Sequence, residues 1–272
     1  MVRRFATALM SLGLAALVAP SSVTAAQAPL GPKPEVESAF VVVLDAGHGG
    51  TNEGCRGHGG VVHEKEVTLA MATQLAAEIE ARLPHAQVQL TRTDDRTLTL
   101  AERVGIANAA GADLFVSLHA NASPDATQTG FETYVLDAQA SSLEAARTAR
   151  RENDEGFTHP VEATADSDVP VEAARMLRQL AMTANRSRAA ALAHAIQRAQ
   201  AERFPRRTDR GVKQAPFDVL MGARMPAVLF EAGFLDNGTE GAVLTDPALR
   251  EVVVGGLADA IVDHYRVSAQ LR

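Results

Sequence analysis

Val41-Val42-Val43-Leu44-Asp45-Ala46-Gly47-His48-Gly49-Gly50 is the stretch that decides how this chain folds. Four apolar residues, three of them β-branched, run into an acid, two small residues and a histidine, and then a glycine pair. A short continuous apolar run of this kind reads as a strand buried on both faces. Glycines after it let the backbone bend sharply and let a ligand come close. His48 is therefore expected just past the carboxyl end of a core strand, where α/β sheets build their sites.

Two more strand ends carry polar cargo. Leu114–Leu118 reads as a strand that delivers His119-Ala120-Asn121, and Ala227–Phe230 as one that delivers Glu231. Between them come further elements. A helix is expected from near Lys65 to the break at Pro84, with Val67, Met71, Leu75 and Ile79 on its apolar side. Val88–Thr91 alternates like a strand, Leu100–Ala110 reads as a helix stopped by Gly111, and Phe131–Leu136 as a fourth strand. Phe217–Leu220 is a further strand candidate. Helices are expected over Arg188–Phe204 and from Pro247, capped by Asp246, to about Tyr265. Strands separated by helices give the fold class: a single three-layer α/β domain with a mostly parallel central sheet flanked by helices. The domain is expected to span 40–266.

One segment breaks the rhythm. From about 137 to 188, helix-prone stretches over Ser142–Asn153 and Ala173–Ala181 flank a region with seven acidic residues between Glu152 and Glu172 and no lysine or arginine. A solvated acidic loop is the plain reading.

Composition sets the frame. With 272 residues and 46% hydrophobic content the chain can bury a sizeable core, and with 4% aromatics and no tryptophan that core must be aliphatic. A net charge of −7 argues against a nucleic-acid partner. Met1-Val2-Arg3-Arg4, an apolar run from Phe5 to Ala19 and small-x-small patterns ending at Ala25 and Ala28 read as a secretory signal peptide over 1–25. The run is short for a membrane span and Pro20 breaks it, so no stable membrane insertion is expected after cleavage. Residues 26–39, rich in proline, read as a linker, and the mature protein is expected in the periplasm or cell envelope. Cys55 is the only cysteine and cannot form an internal disulfide.

His48, His119 and Glu231 stand past strands, and Glu64 opens a helix after a glycine-rich loop over Thr51–His63. Two imidazoles and a carboxylate are a common ligand set for catalytic Zn²⁺, and a further carboxylate can take the proton from water. Zinc lowers the pKa of bound water towards about 7 and polarises a carbonyl, which points to amide hydrolysis. His63-Glu64-Lys65-Glu66-Val67 begins like the helical H-E-x-x-H motif, but Val67 stands where the second histidine belongs. Spacing alone leaves open whether Glu64, Glu66 or His63 reaches the metal.

Five segments in order resemble the successive motifs of the zinc-dependent N-acetylmuramoyl-L-alanine amidases. They are Asp45–Gly50, Glu64-Lys65, Ser117–Asn121, Arg210–Phe217 and Glu231–Leu235. The resemblance covers about Phe40 to Tyr265. It implies that His48, Glu64 and His119 bind one zinc per chain, and that Glu231 is the catalytic general base, later protonating the leaving amine. The bond cut would be the amide between N-acetylmuramic acid and L-alanine of the peptidoglycan stem peptide. Arg92, Arg103, Asn121 and Lys213 lie in or beside the matching segments and either hold substrate or support the fold. Division-linked members of the family carry an inhibitory helix over the zinc, displaced by activators with LytM-type domains. The 137–188 segment lies where that helix lies, and a carboxylate from it could fill the open metal position. The wall-targeting domain of some relatives is not expected, with so few residues before Phe40. Two other readings use the same features: a zinc peptidase acting on stem peptides, and a non-catalytic wall-binding module. The second fits poorly with four filled positions.

Overall fold

This computed structural model describes residues 39–154 and 171–270, with side chains over 171–181 left aside. The expected signal peptide, the linker up to residue 38 and most of the acidic stretch lie outside the described residues. The described residues form one α/β domain. In chain order it holds β1 (Phe40–Ala46), α1 (Glu64–Arg82), β2 (Ala86–Leu90), α2 (Leu100–Ala109), β3 (Leu114–Asn121), β4 (Phe131–Leu136) and α3 (Leu143–Asn153). Then follow α4 (Val171–Arg203), β5 (Asp209–Ala215), β6 (Ala227–Phe234), α5 (Gly238–Thr245) and α6 (Pro247–Gln270).

The six strands lie in the order β2-β1-β3-β6-β4-β5. All pairs are parallel except β4 with β6, which is antiparallel. Side chains alternate across the sheet. Val42 and Leu44 join α1, α4 and α6 in one core through Met71, Leu75, Leu192, Ile196, Leu257 and Ile261. Val43, Phe115 and Leu229 face the other way, onto Leu100, Ala145, Ala149 and Phe217. So α1, α4 and α6 cover one face and α2 and α3 the other. The chain leaves β1 towards β2 and returns on the opposite side to β3. The two crossovers put α1 and α2 on opposite faces and open a crevice at the carboxyl ends of β1 and β3.

Three expectations are corrected. Phe217–Leu220 is not a strand: Phe217 is extended and Asp218–Leu220 form one 3₁₀ turn, while the edge strand runs earlier, over β5. The helices expected over Ala173–Ala181 and Arg188–Phe204 are one element, α4, because Asn185-Arg186-Ser187 only weakens a helix and does not stop it. The last helix continues to Gln270.

Below the crevice, Asp45 is fully buried. It accepts from Thr91 Oγ1 (2.7 Å) and Arg103 Nη1 (2.9 Å) on one oxygen and from Ser117 Oγ (2.7 Å) on the other. Arg103, itself 1% exposed, would lose its carboxylate in Asp45→Ala. Breaking a buried pair from one side costs about 3–5 kcal/mol. The variant should show a markedly lower urea midpoint with the slope unchanged.

Candidate metal centre

The turn after β1 is held from beneath by two buried arginines. Arg92 donates from Nε to the Ala46 carbonyl (2.9 Å) and from Nη2 to that of Gly47 (2.9 Å). Arg103 donates to the carbonyls of Ala46 (2.8 Å) and His48 (2.7 Å). Three successive carbonyls thus point inward, which an ordinary strand cannot do. The backbone accommodates this by placing His48 at φ +61°, a left-handed conformation uncommon outside glycine, and Gly49 at φ +125°. A side chain at Gly47 would put its Cβ 2.4 Å from His119 Cε1, so only glycine lets the His119 ring lie against the turn.

Asn52 Oδ1 lies 3.0 Å from His48 Nδ1, which leaves Nε2 aimed at Glu64 Oε1, 3.0 Å away. Glu64 is the first residue of α1, and the backbone N–H groups of Ala120 and Cys55 each donate to one of its oxygens at 2.9 Å. His119, at the end of β3, brings Nδ1 to 3.1 Å from Glu64 Oε1. A fourth residue joins from α3: Glu152 Oε2 lies 2.9 Å from His119 Nδ1 and 3.3 Å from His48 Nε2. One donor atom from each of the four falls within 4.8 Å of the others, and all four residues are buried.

The charges of this cluster need a cation. Burial pushes both carboxyls up, yet the neighbouring imidazoles overcome it and hold Glu64 and Glu152 well below the usual range. Burial likewise disfavours a charged His119, but Glu152 and Glu64 push it up to about 10. Two buried carboxylates this close need positive charge between them. A protonated imidazole would supply it, as would a divalent ion with the imidazoles neutral. Two nitrogens and carboxylate oxygens suit zinc.

Glu231 stands beside the cluster. It is the register partner of His119 across β6 and β3, so both side chains lie on the α3 side of the sheet. It is 1% exposed, and neither carboxylate oxygen has a hydrogen-bond partner among the described residues. Burial and the charge of Glu152 push its pKa well up. Arg151 Nη2 of α3 lies 3.5 Å from Glu231 Oε1. Arg151 also donates to Asn121 Oδ1 (2.9 Å), to the Ala122 carbonyl (3.1 Å) and to Glu152 Oε1 (2.8 Å). The end of α3 thus meets the four-residue cluster through Glu152 and Glu231 through Arg151.

The structure brings together His48, Glu64, His119 and Glu231. It separates the open alternatives at the start of α1: Glu66 accepts from the His63 N–H, and His63 Nδ1 faces Glu53 Oε2 at 3.3 Å, away from the cluster. Arg92 is fully buried and holds carbonyls, so it shapes the turn rather than facing a ligand. Asn121 links Arg151 to Glu132, donating from Nδ2 at 2.8 Å. Lys213 lies on β5 against Glu132 and Glu144. Cys55 donates to the Ala120 carbonyl (3.2 Å), and burial and Glu64 push its thiol far up, so it is an inert packing group. The residue that the sequence did not single out is Glu152. The acidic excess of its segment pointed to some carboxylate there, not to this one.

Residues 42–263 match the family model described as N-acetylmuramoyl-L-alanine amidase. The chain is 32% identical to the N-acetylmuramoyl-L-alanine amidase AmiA of Salmonella typhimurium over 83% of this chain and 76% of that one. It is 30% identical to the N-acetylmuramoyl-L-alanine amidase LytC of Bacillus subtilis, over 83% of this chain and 35% of that longer one. Among solved structures, the catalytic domain of the amidase CwlV of Bacillus (Paenibacillus) polymyxa superposes with a TM-score of 0.60 at 31% identity, covering 84% of this chain and 98% of that one.

Proposed function

This chain belongs to the N-acetylmuramoyl-L-alanine amidase family of hydrolases, and from that premise we propose that it is an exported, zinc-dependent peptidoglycan amidase which α3 holds in a blocked state. The observation that carries the reading is the buried convergence of His48, Glu64, His119 and Glu152 beside Glu231, whose oxygens accept no hydrogen bond among the described residues.

His48, Glu64 and His119 are the proposed zinc ligands. A bound zinc would supply a Lewis acid for the scissile carbonyl and acidify water towards about pH 7. Glu231 is the proposed general base. Ionised beside a bound cation, it would take a proton from the attacking water and return it to the nitrogen of L-alanine as that amine leaves. Asn121 and the backbone of β3 keep the floor of the site fixed. Glu152 competes for the position that the substrate carbonyl needs, and Arg151 covers Glu231. An activator, which the family resemblance points to as a LytM-domain protein, would work by drawing α3 away. The export and envelope location rest on the basic, apolar start of the sequence.

The test is digestion of purified sacculi by the zinc-loaded full chain, with mass analysis of the released fragments. Intact peptides beginning with L-alanine and uncut glycan strands are expected, with release stopped by a zinc chelator. Peptides cut internally would replace the amidase by a peptidase. The blocked state has its own arm. Glu152→Gln should raise the basal rate by about 5- to 150-fold, the range of ordinary coupling energies, with the same products. An unchanged or lower rate in a folded Glu152→Gln protein would remove the blocking role.

A further inference from the structure

The first turn of α3 makes a second contact that the blocking of the metal centre does not require. Glu144 pairs with Lys213 Nζ at 3.2 Å and with Arg210 Nη2, both on β5. The same two cations also face Glu132, with Lys213 Nζ at 2.5 Å and Arg210 Nε at 2.8 Å from its Oε2. Glu132 is fully buried, and its other oxygen accepts from Asn121 Nδ2 (2.8 Å) and Tyr134 Oη (2.6 Å). Arg210 is further seated over the Phe234 ring, 5.0 Å from its centroid, and donates to Gln128 Oε1 (3.1 Å).

The two carboxylates are not equivalent. Glu132 belongs to the sheet and stays. Glu144 is 38% exposed and belongs to α3. With α3 withdrawn, two cations share one buried carboxylate and one positive charge is left in excess, at the rim of the site. Glu132 is the register partner of Glu231, and β5 is the next strand beyond β4. Two strand spacings separate the backbone of β5 from that of the general base by about 10 Å, and the two cations reach back over part of that span to Glu132, within a few residues of extended peptide. Glu144 and Glu152 are about 12 Å apart along α3, so one helix face spans both positions.

We propose that Lys213 and Arg210 form a carboxylate-binding subsite for the peptide part of the substrate, which Glu144 of α3 occupies as a substitute in the blocked state. The inference rests on the amidase reading and adds to it a preference for acidic stem peptides. Lys213 and Arg210 present donors at a fixed site because Glu132 and Phe234 hold them from behind. A charge-assisted hydrogen bond distinguishes a carboxylate from a carboxamide of the same shape.

The experiment compares two soluble substrates with the zinc-loaded full chain. One is an N-acetylmuramoyl tripeptide with free carboxylates, the other the same tripeptide with its carboxylates amidated. The free acid should be preferred about tenfold or more in kcat/KM, mostly through KM. Lys213→Gln should bring that ratio to within about twofold of one, Lys213→Arg should keep it, and Glu144→Gln should lower KM for the free acid. Equal rates on the two substrates in the wild type would overturn the subsite, as would a ratio that survives Lys213→Gln. A Lys213→Gln variant that slows both substrates equally would make Lys213 a structural residue. Cleavage of neither substrate, by the wild type or by the unblocked Glu152→Gln chain, is a different result, which would overturn the amidase reading and the subsite with it.

Discussion

Glu231→Gln is expected to lower release of peptides from sacculi by about 10²–10⁴-fold while bound zinc stays at the wild-type level. The side chain keeps its shape and loses only the ability to take a proton. The loss should appear in kcat rather than KM. Hydrolysis that persists undiminished with zinc in place would show that the wrong residue has been assigned as base. The same variant has a readout on stability without metal. The folded pKa of Glu231 is raised by burial and by Glu152, so the stability linked to its proton is fully present below the ordinary carboxyl value. It is lost as pH rises through the raised value. Glutamine cannot ionise, so metal-free Glu231→Gln should unfold at a higher urea concentration than metal-free wild type once the pH passes the ordinary carboxyl range.

His119→Ala and His48→Ala are the second large effect. Each removes one of the two nitrogens whose positions the turn and the strand end fix, and zinc affinity should fall by more than about 100-fold, beyond what losing an outer partner of a ligand does. Competition with a chromogenic chelator measures this directly, and activity should fall in proportion to the zinc lost. Retention at full stoichiometry in either variant would dismiss that histidine as a ligand. Glu152→Gln is the internal contrast, since it leaves His48, Glu64 and His119 untouched and should keep its ion.

The parts of the molecule that the sequence disclosed are those fixed by short-range chemistry. Val41–Leu44 and Leu114–Leu118 are mostly apolar runs too short for helices, and a histidine follows each within four residues, so both strand and candidate ligand can be read from one stretch. Glu231 follows for the same reason. Glu152 could not be read in this way. It meets His48 and His119 only because α3 folds back over the sheet, and nothing local separates it from the other acids of its segment. β5 was missed because Arg210–Gln214 is polar and half buried at the sheet edge, with none of the apolar alternation that marks a strand. The antiparallel insertion of β4 beside β6 is a tertiary choice with no local signature. α5 was missed because Gly238 and Gly241 weaken a helix that Asn237 nevertheless caps through the N–H groups of Thr239 and Glu240. Arg92 and Arg103 stand out in the sequence as either substrate contacts or supports of the fold, but most of their partners are backbone carbonyls, which a sequence does not display.

The donation of Glu152 has a consequence for how long the resting protein would keep its ion. Catalytic zinc sites usually have three protein ligands, whereas sites that serve only to hold a fold together are saturated by four. With α3 seated, a bound ion would meet the saturated count. A dormant molecule would then lose zinc to competing chelators more slowly than a working one. Its inactivity and its readiness would come from the same bond.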